Sequence, residues 1–273
     1  MRKLFLLIFV IAPLLTIAQR KPKIKGSRIV TEVSDELPAF NAIVLNDDLE
    51  IHLERTNGPG YHIVADDNLI DILKFEVEGT TLMISSYYDV TANKQFDITV
   101  NYSELQSIAV KKGSVSTNNV IEGNELFVDG FENTRMDIKA NVAVMDINLE
   151  ENSKGDFHVD ADSLNISLNS RTEALVYTTS NTAVLDLEGN ATLTLEGSSE
   201  RLQANFFQQS RYKGEAMQAV NFKLAIQDDA SARVFAVDEV DISAKGSSVI
   251  YLYGTPKIQI QEFLDTAQLI KKQ

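Results

Sequence analysis

From residue 105 onward the chain repeats about every nineteen residues, and few folds accommodate such a repeat. Stretches beginning at Leu105, Leu126, Val144, Leu164, Val184, Leu202, Val220, Val240 and Ile258 lie under one another with steps of 21, 18, 20, 20, 18, 18, 20 and 18 residues. Within a unit, a short apolar–polar stretch such as LNISL or VNFKL is followed about ten residues later by a second, such as ALVYT or ARVFA. Between them sit small polar knots: ENSKG, NSRTE, EGNAT, QQSRY, QDDAS and KGSSV. A strand period of two puts Leu164, Ile166 and Leu168 on one side and Asn165 and Ser167 on the other. Every strand therefore has one apolar and one wet side.

Short strands at this spacing also fit hairpins of an antiparallel sandwich. Two features favour a coil. The similarity recurs at two strands rather than one, as it does when each turn of a solenoid repeats the turn below. No proline occurs between Pro59 and Pro256, which suits strands whose amides all serve as ladder donors. The reading is all-β: a parallel β-helix of about eight turns over residues 104–260, with Leu164, Val184, Leu202, Val220 and Val240 in stacked columns and Leu195 facing inward. Columns and ladders of this kind explain how a chain with no cysteine holds together without disulfides.

The rest of the chain divides by composition. Residues 1–18 carry Arg2 and Lys3, an apolar run from Leu4 to Leu15 and a small residue at Ala18, the pattern of a cleaved signal peptide. The run is too short for a spanning helix, which needs about 20 residues. Loss of these residues moves the net charge from −14 to about −16. Residues 19–32 form a basic leader with five cations in QRKPKIKGSR, read as a solvated segment. Residues 33–103 read as a β-rich N-terminal segment; Asp67 or Asn68 caps a short helix that places Leu69, Ile72 and Leu73 on one face. Residues 261–273 form a C-terminal cap or tail.

The acidic balance argues against nucleic acid as a partner. His52, His62 and His158 share no metal spacing, no nucleophile elbow is present, and no phosphate-cradling loop appears. No cofactor is implied. Asp47–Asp48, Asp66–Asp67, Asp160 with Asp162, and Asp228–Asp229 are the pairs a carbohydrate-active enzyme would use, yet aspartate is also the ordinary turn residue. No lysine or arginine cluster in the sequence marks a basic cleft for an acidic polymer.

The knots in KKGSVS, EGNATLTLEG, QDDASARV and above all the closing GSSVIYLYGTPKI resemble the head GIN domain of putative auto-transporter adhesins. The resemblance covers about residues 38–260, although ENTRM, NSRTE and QQSRY have no glycine. It implies a right-handed parallel β-helix exported to the periplasm or the cell surface. The expected function is a non-enzymatic envelope or surface module, adhesin-like, for an unknown protein or glycan partner. The alternative is a β-helix polysaccharide lyase or glycosidase working through turn carboxylates.

Aligning SSVIYLYG with NATLTLEG puts Tyr251 and Tyr253 on the wet side of the last coil. They serve either as an aromatic platform for a ligand or as part of an end cap, with Phe263, Leu264, Ala267 and Ile270 on a helical face folding back over them. Tyr87 and Tyr88 raise the same question, since adjacent strand residues point to opposite sides.

Overall fold

A computed structural model describes residues 21–272; the expected signal peptide, residues 1–18, lies outside them. The chain is a parallel β-solenoid of about nine turns. Its regular coils are built from β13 (Arg135–Leu149), β14 (Lys154–Leu168), β15 (Glu173–Leu187) and β16 (Thr192–Phe206), each of 15 residues, paired parallel in sequence order. β12 (Ile121–Gly130) precedes them, and β17 (Arg211–Ile226) and β18 (Ser231–Ala244) follow.

The polar knots are the sharp turns between these strands. The second residue of each turn is left-handed, with φ between 52° and 76° at Glu132, Glu151, Ser170, Gly189, Gln208, Asp228, Gly246 and Asp265. Glycine adopts that conformation freely and other residues at a cost. The knots without glycine nonetheless hold it, because each turn also bonds to the next. The amides of Asn152, Arg171 and Asn190 donate to the carbonyls of Glu132, Glu151 and Ser170 at 2.9, 2.7 and 2.6 Å. At the fourth turn position Thr134, Ser153, Thr172, Ala191, Ser210, Ala230 and Ser248 form a buried column in which only small residues occur.

The other corner of each coil is a bend inside the long strand. Ala143, Asp162, Asn181 and Glu200 are skipped by the pairing there. This corner corrects the expected columns. The register stacks Leu126, Met145, Leu164, Ala183, Leu202, Phe222 and Val240, all buried. Val184 instead lies between Asn165 and Gln203 on the outer face, and Val220 is a corner residue passed over by the ladder. A slip of one residue reverses which side faces inward: Val184 stands one position after its column residue Ala183, and Val220 two before Phe222. Leu195 is fully buried, as its strand alternation requires.

Column volumes are matched across neighbours. Gly155 occupies an inward position, and the Phe157 ring folds into the space it leaves: a Cβ on Gly155 would lie 2.1 Å from a ring carbon. Tyr212 fills the gap over Gly214 in the same way.

At the N-terminal end, stacking order departs from chain order. β3 (Ala42–Leu45) and β4 (Glu50–Arg55) lie between β10 (Ser107–Val110) and β11 (Ser114–Thr117) on one side and β7 (Thr81–Ser86) and β9 (Phe96–Tyr102) on the other. The segment expected to precede the coil thus supplies its first rungs and shares its core. Antiparallel strands close this end. β6 (Leu73–Glu78) pairs with β7, β5 (Gly60–Asp66) with β9, and β2 (Val30–Glu36) with β5. Exposed acidic residues on β2 guard the outermost edge. The helix, α1 (Asp67–Ile70), begins after Asp66, whose side chain makes no capping bond.

Two expectations about the chain ends are corrected. The basic leader is docked rather than free: β1 (Lys23–Lys25) pairs with β8 (Asp89–Ala92), and Lys21 bonds Asp47 and the Ser86 carbonyl. At the other end no helical cap forms among the described residues. β19 (Val249–Tyr253), β20 (Lys257–Phe263) and β21 (Gln268–Lys271) continue the ladders, because Ile258 and Ile260 keep the strand period of β18. The outermost rung leaves Ile258 and Ile260 exposed at inward positions.

Candidate functional site

The four tyrosines do not converge. Tyr251 and Tyr253 lie on the outer face of β19 near the C-terminal end, half-buried, with Lys272 Nζ 4.9 Å from the Tyr251 ring centre. Tyr87 and Tyr88 lie at the opposite end in the bend between β7 and β8, both exposed. Alternation does not govern that bend, so neither had to leave a core.

Most of the nominated aspartates are occupied by the fold. Asp228 is itself a left-handed turn residue, and its carboxylate accepts the Gln208 amide at 3.1 Å. Asp162 accepts the Asn181 side chain at 3.2 Å, and Asp47 accepts the Ser86 amide at 2.9 Å. Asp66 is fully buried; its carboxylate accepts the amides of Arg28 and Lys94 at 3.1 Å and of Gln95 at 3.4 Å. These bonds tie the leader and the segment after β8 to the solenoid. Among the described residues no three histidine, aspartate or glutamate side chains gather as a metal-binding group.

The bound segment lines a polar cleft of about 1150 Å³. Residues 93–97 line it together with the starts of β4, β11, β13 and β14 and the turns before them. Gly113 allows the close approach at the back of the cleft: at φ 96° it sits where a Cβ would meet the Leu49 carbonyl oxygen at 2.3 Å. The floor inherits the rung spacing of about 4.8 Å. Ser114, Arg135 and Lys154 lie on successive rungs, and Asn133 and Asn152 repeat in the turns. Lys94 and Phe96 also line the cleft, Phe96 while packed against the core.

Three cations far apart in sequence, Lys94, Arg135 and Lys154, therefore meet in one cleft of an acidic protein. Lys154 bonds Glu173 at 2.8 Å, which lowers the Glu173 pKa. Among the described residues neither Lys94 nor Arg135 is within ion-pair distance of a carboxylate. Asp48, Glu50, Asp97 and Asp137 also line the cleft. A smaller hollow of about 230 Å³ adjoins it, sharing Asp48, Leu49 and Val90 and adding Lys23, Tyr88 and Lys112.

One further contact was not legible in the sequence. His52 Nδ1 lies 2.8 Å from the Ser116 hydroxyl on the cleft floor, an arrangement created by the β4–β11 register. A nucleophile–base pair needs a third group to orient the base. His62 and His158 each have a carboxylate at 3.7 Å, but among the described residues His52 has none. The same serine–histidine pairing recurs at 2.9 Å between Ser34 and His62 on the capped end, as expected of neighbouring polar rungs.

With this geometry in hand, comparisons place the chain. No curated protein matches it. A putative adhesin from Parabacteroides merdae shares 15% identity and superposes with a TM-score of 0.70, covering 92% of this chain and 100% of that one. Another from Parabacteroides distasonis shares 16%, with a TM-score of 0.65 and coverage of 92% and 97%. A putative lipid-binding protein from the same organism shares 20%, with a TM-score of 0.63 and coverage of 92% and 100%. These likenesses establish the fold. The family described as putative auto-transporter adhesin, head GIN domain, matches residues 39–173 and 130–256, and the chain belongs to that family.

Proposed function

We propose that the protein is an exported, non-enzymatic module that holds a glycan or protein partner at the envelope or cell surface, using the cleft beneath residues 93–97 as its contact site. The leader sequence motivates export, and the described residues include no helix long and apolar enough to cross a membrane. The cleft carries the reading. It is wide and open, and it presents amides, hydroxyls and charges of both signs at a regular spacing, which suits recognition of a polar chain. Lipid binding, the description attached to one structural neighbour, fits less well: the inward columns are filled by side chains and the main concavity is polar.

The test is a glycan-array and pull-down screen with the purified protein and two variants. Ser116→Trp fills the cleft floor and is expected to abolish capture. Lys223→Ala, in a shallow groove elsewhere, is expected to leave it intact. Incubation with a polysaccharide panel, with and without calcium, is expected to release no oligosaccharide. Turnover that disappears in Ser116→Ala would overturn the non-enzymatic reading, and capture unaffected by Ser116→Trp would overturn the cleft.

A further inference from the structure

We infer that Asn57–Gly58 is a self-modification site, at which the folded chain slowly converts the asparagine into aspartate and isoaspartate and so loosens the outermost strand of the N-terminal cap. The chemistry is carried by the backbone. The nitrogen of the following residue attacks the side-chain carbonyl carbon, the carboxamide nitrogen leaves as ammonia with the amide proton, and a succinimide ring closes. Water then opens the ring at either carbonyl–nitrogen bond, giving a normal or a side-chain-linked main chain. No electrons change hands, and water is the co-reactant.

A solenoid ordinarily blocks this ring closure, because the attacking amide is engaged and the next side chain crowds it. In the sharp turns, the amides of Thr134 and Ser153, which follow Asn133 and Asn152, donate to the carbonyls of Phe131 and Glu150 at 3.3 and 3.2 Å, and both residues are buried. Asn57 differs in each respect. It is the one asparagine of the chain followed by glycine, and both residues are exposed in the bend between β4 and β5. Glycine adds no Cβ to hinder the attack, and nothing lies within 4 Å of the Cβ position of Gly58. Among the described residues neither the Gly58 amide nor the Asn57 side chain has a hydrogen-bond partner.

The bend is pinned on both sides. The Thr56 amide donates to the Tyr102 carbonyl at 2.8 Å, and the Leu37 amide donates to the Pro59 carbonyl at 3.0 Å. The Thr56 hydroxyl donates to the Gly58 carbonyl at 2.7 Å. Isoaspartate routes the main chain through Cβ and Cγ, which adds a bond between these anchors and displaces Pro59 relative to Leu37. That contact ties the chain just after β2 to the bend. Without it, the end of β2 is held by its pairing with β5.

The purified protein is incubated at neutral and mildly alkaline pH and mapped by peptide mass spectrometry, with electron-transfer fragmentation to separate aspartate from isoaspartate. The peptide containing Asn57 is expected to show the mass change of amide to acid, faster at the higher pH because the attacking nitrogen must lose its proton, while the peptides containing Asn133 and Asn152 stay unchanged. Asn57→Gln is expected to abolish the conversion and Gly58→Ala to suppress it. Gly58→Ala is expected to melt like the parent, since Gly58 is not left-handed and its Cβ position is open. Asn57 that stays intact in the folded protein while the free peptide ERTNGPGY converts overturns the site, and so does equal conversion at Asn133 and Asn152. Hydrogen exchange reads the consequence. The converted protein is expected to exchange the Leu37 amide faster than Asn57→Gln aged in parallel; equal exchange overturns the loosening of β2.

Discussion

Replacing Gly197 by alanine separates two costs that a solenoid imposes on its glycines. Gly197 has φ 118°, and an added Cβ would lie 1.9 Å from the carbonyl oxygen of Thr178, its partner on the adjacent rung. The backbone conformation alone costs an L-residue about 1–2 kcal/mol. The overlap must be relieved by moving main chain inside a continuous ladder, which adds about 1–3 kcal/mol. Together these come to about 2–5 kcal/mol. For a chain of this size that corresponds to a fall in melting temperature of about 10 °C. Gly79 is the control: it is also left-handed, at φ 64°, but nothing lies within 4 Å of its Cβ position. Gly79→Ala therefore incurs only the conformational term, about 1–2 kcal/mol and a few degrees. Both variants are followed by circular dichroism in thermal and urea unfolding. Equal shifts would refute the argument, because they would mean that the close approach to Thr178 carries no cost.

Leu195 has no exposed surface, so Leu195→Asp places a carboxylate between apolar rungs at a cost of several kcal/mol and is expected to abolish the cooperative melt; a transition within error of the parent would remove the residue from the core. Asp66→Ala strands three amides, with an expected loss of about 3–5 kcal/mol and rapid proteolysis between Val90 and Gln95, whereas resistance to cleavage would show that the cleft wall is held by other contacts. Burial, and next the Asp129 charge, raise the Asp146 pKa. A raised folded-state pKa gives stability that is present at low pH and lost as pH rises through it, so Asp146→Asn is expected to melt slightly higher at pH 7 and to lose that advantage below about pH 4; an advantage that persists in acid would point to another cause. Tyr251→Ser with Tyr253→Ser is expected to lower the melting temperature if these rings stabilise the last coil, and an unchanged melt with loss of partner capture would make them a platform instead.

Much of the fold was legible in the sequence, for a physical reason. A solenoid contact is nearly local: each residue meets the one about nineteen positions away, so a repeated pattern of alternation and turn chemistry declares the stack. The polar knots marked the sharp turns, and LNISL announced its inward and outward faces. The repeat did not fix the register. Val184 and Val220 are hydrophobic and near the right spacing, and only the ladder shows that one faces water and the other turns a corner. C-terminal Phe263, Leu264, Ala267 and Ile270 fit a helical period, but pairing to β18 and β19 holds them in strands and turns.

The candidate site was not legible, because nothing in its chemistry is local. Lys94 belongs to a segment whose position depends on the buried carboxylate of Asp66. Arg135 and Lys154 begin strands a full coil apart, and Ser116 meets His52 only because β4 is inserted between β9 and β11. Composition established an acidic chain without disulfides, and periodicity established a stacked coil. Which side chains line the cleft depends on how the out-of-order N-terminal rungs stack against the coil, a long-range arrangement that hydrophobic alternation leaves undetermined.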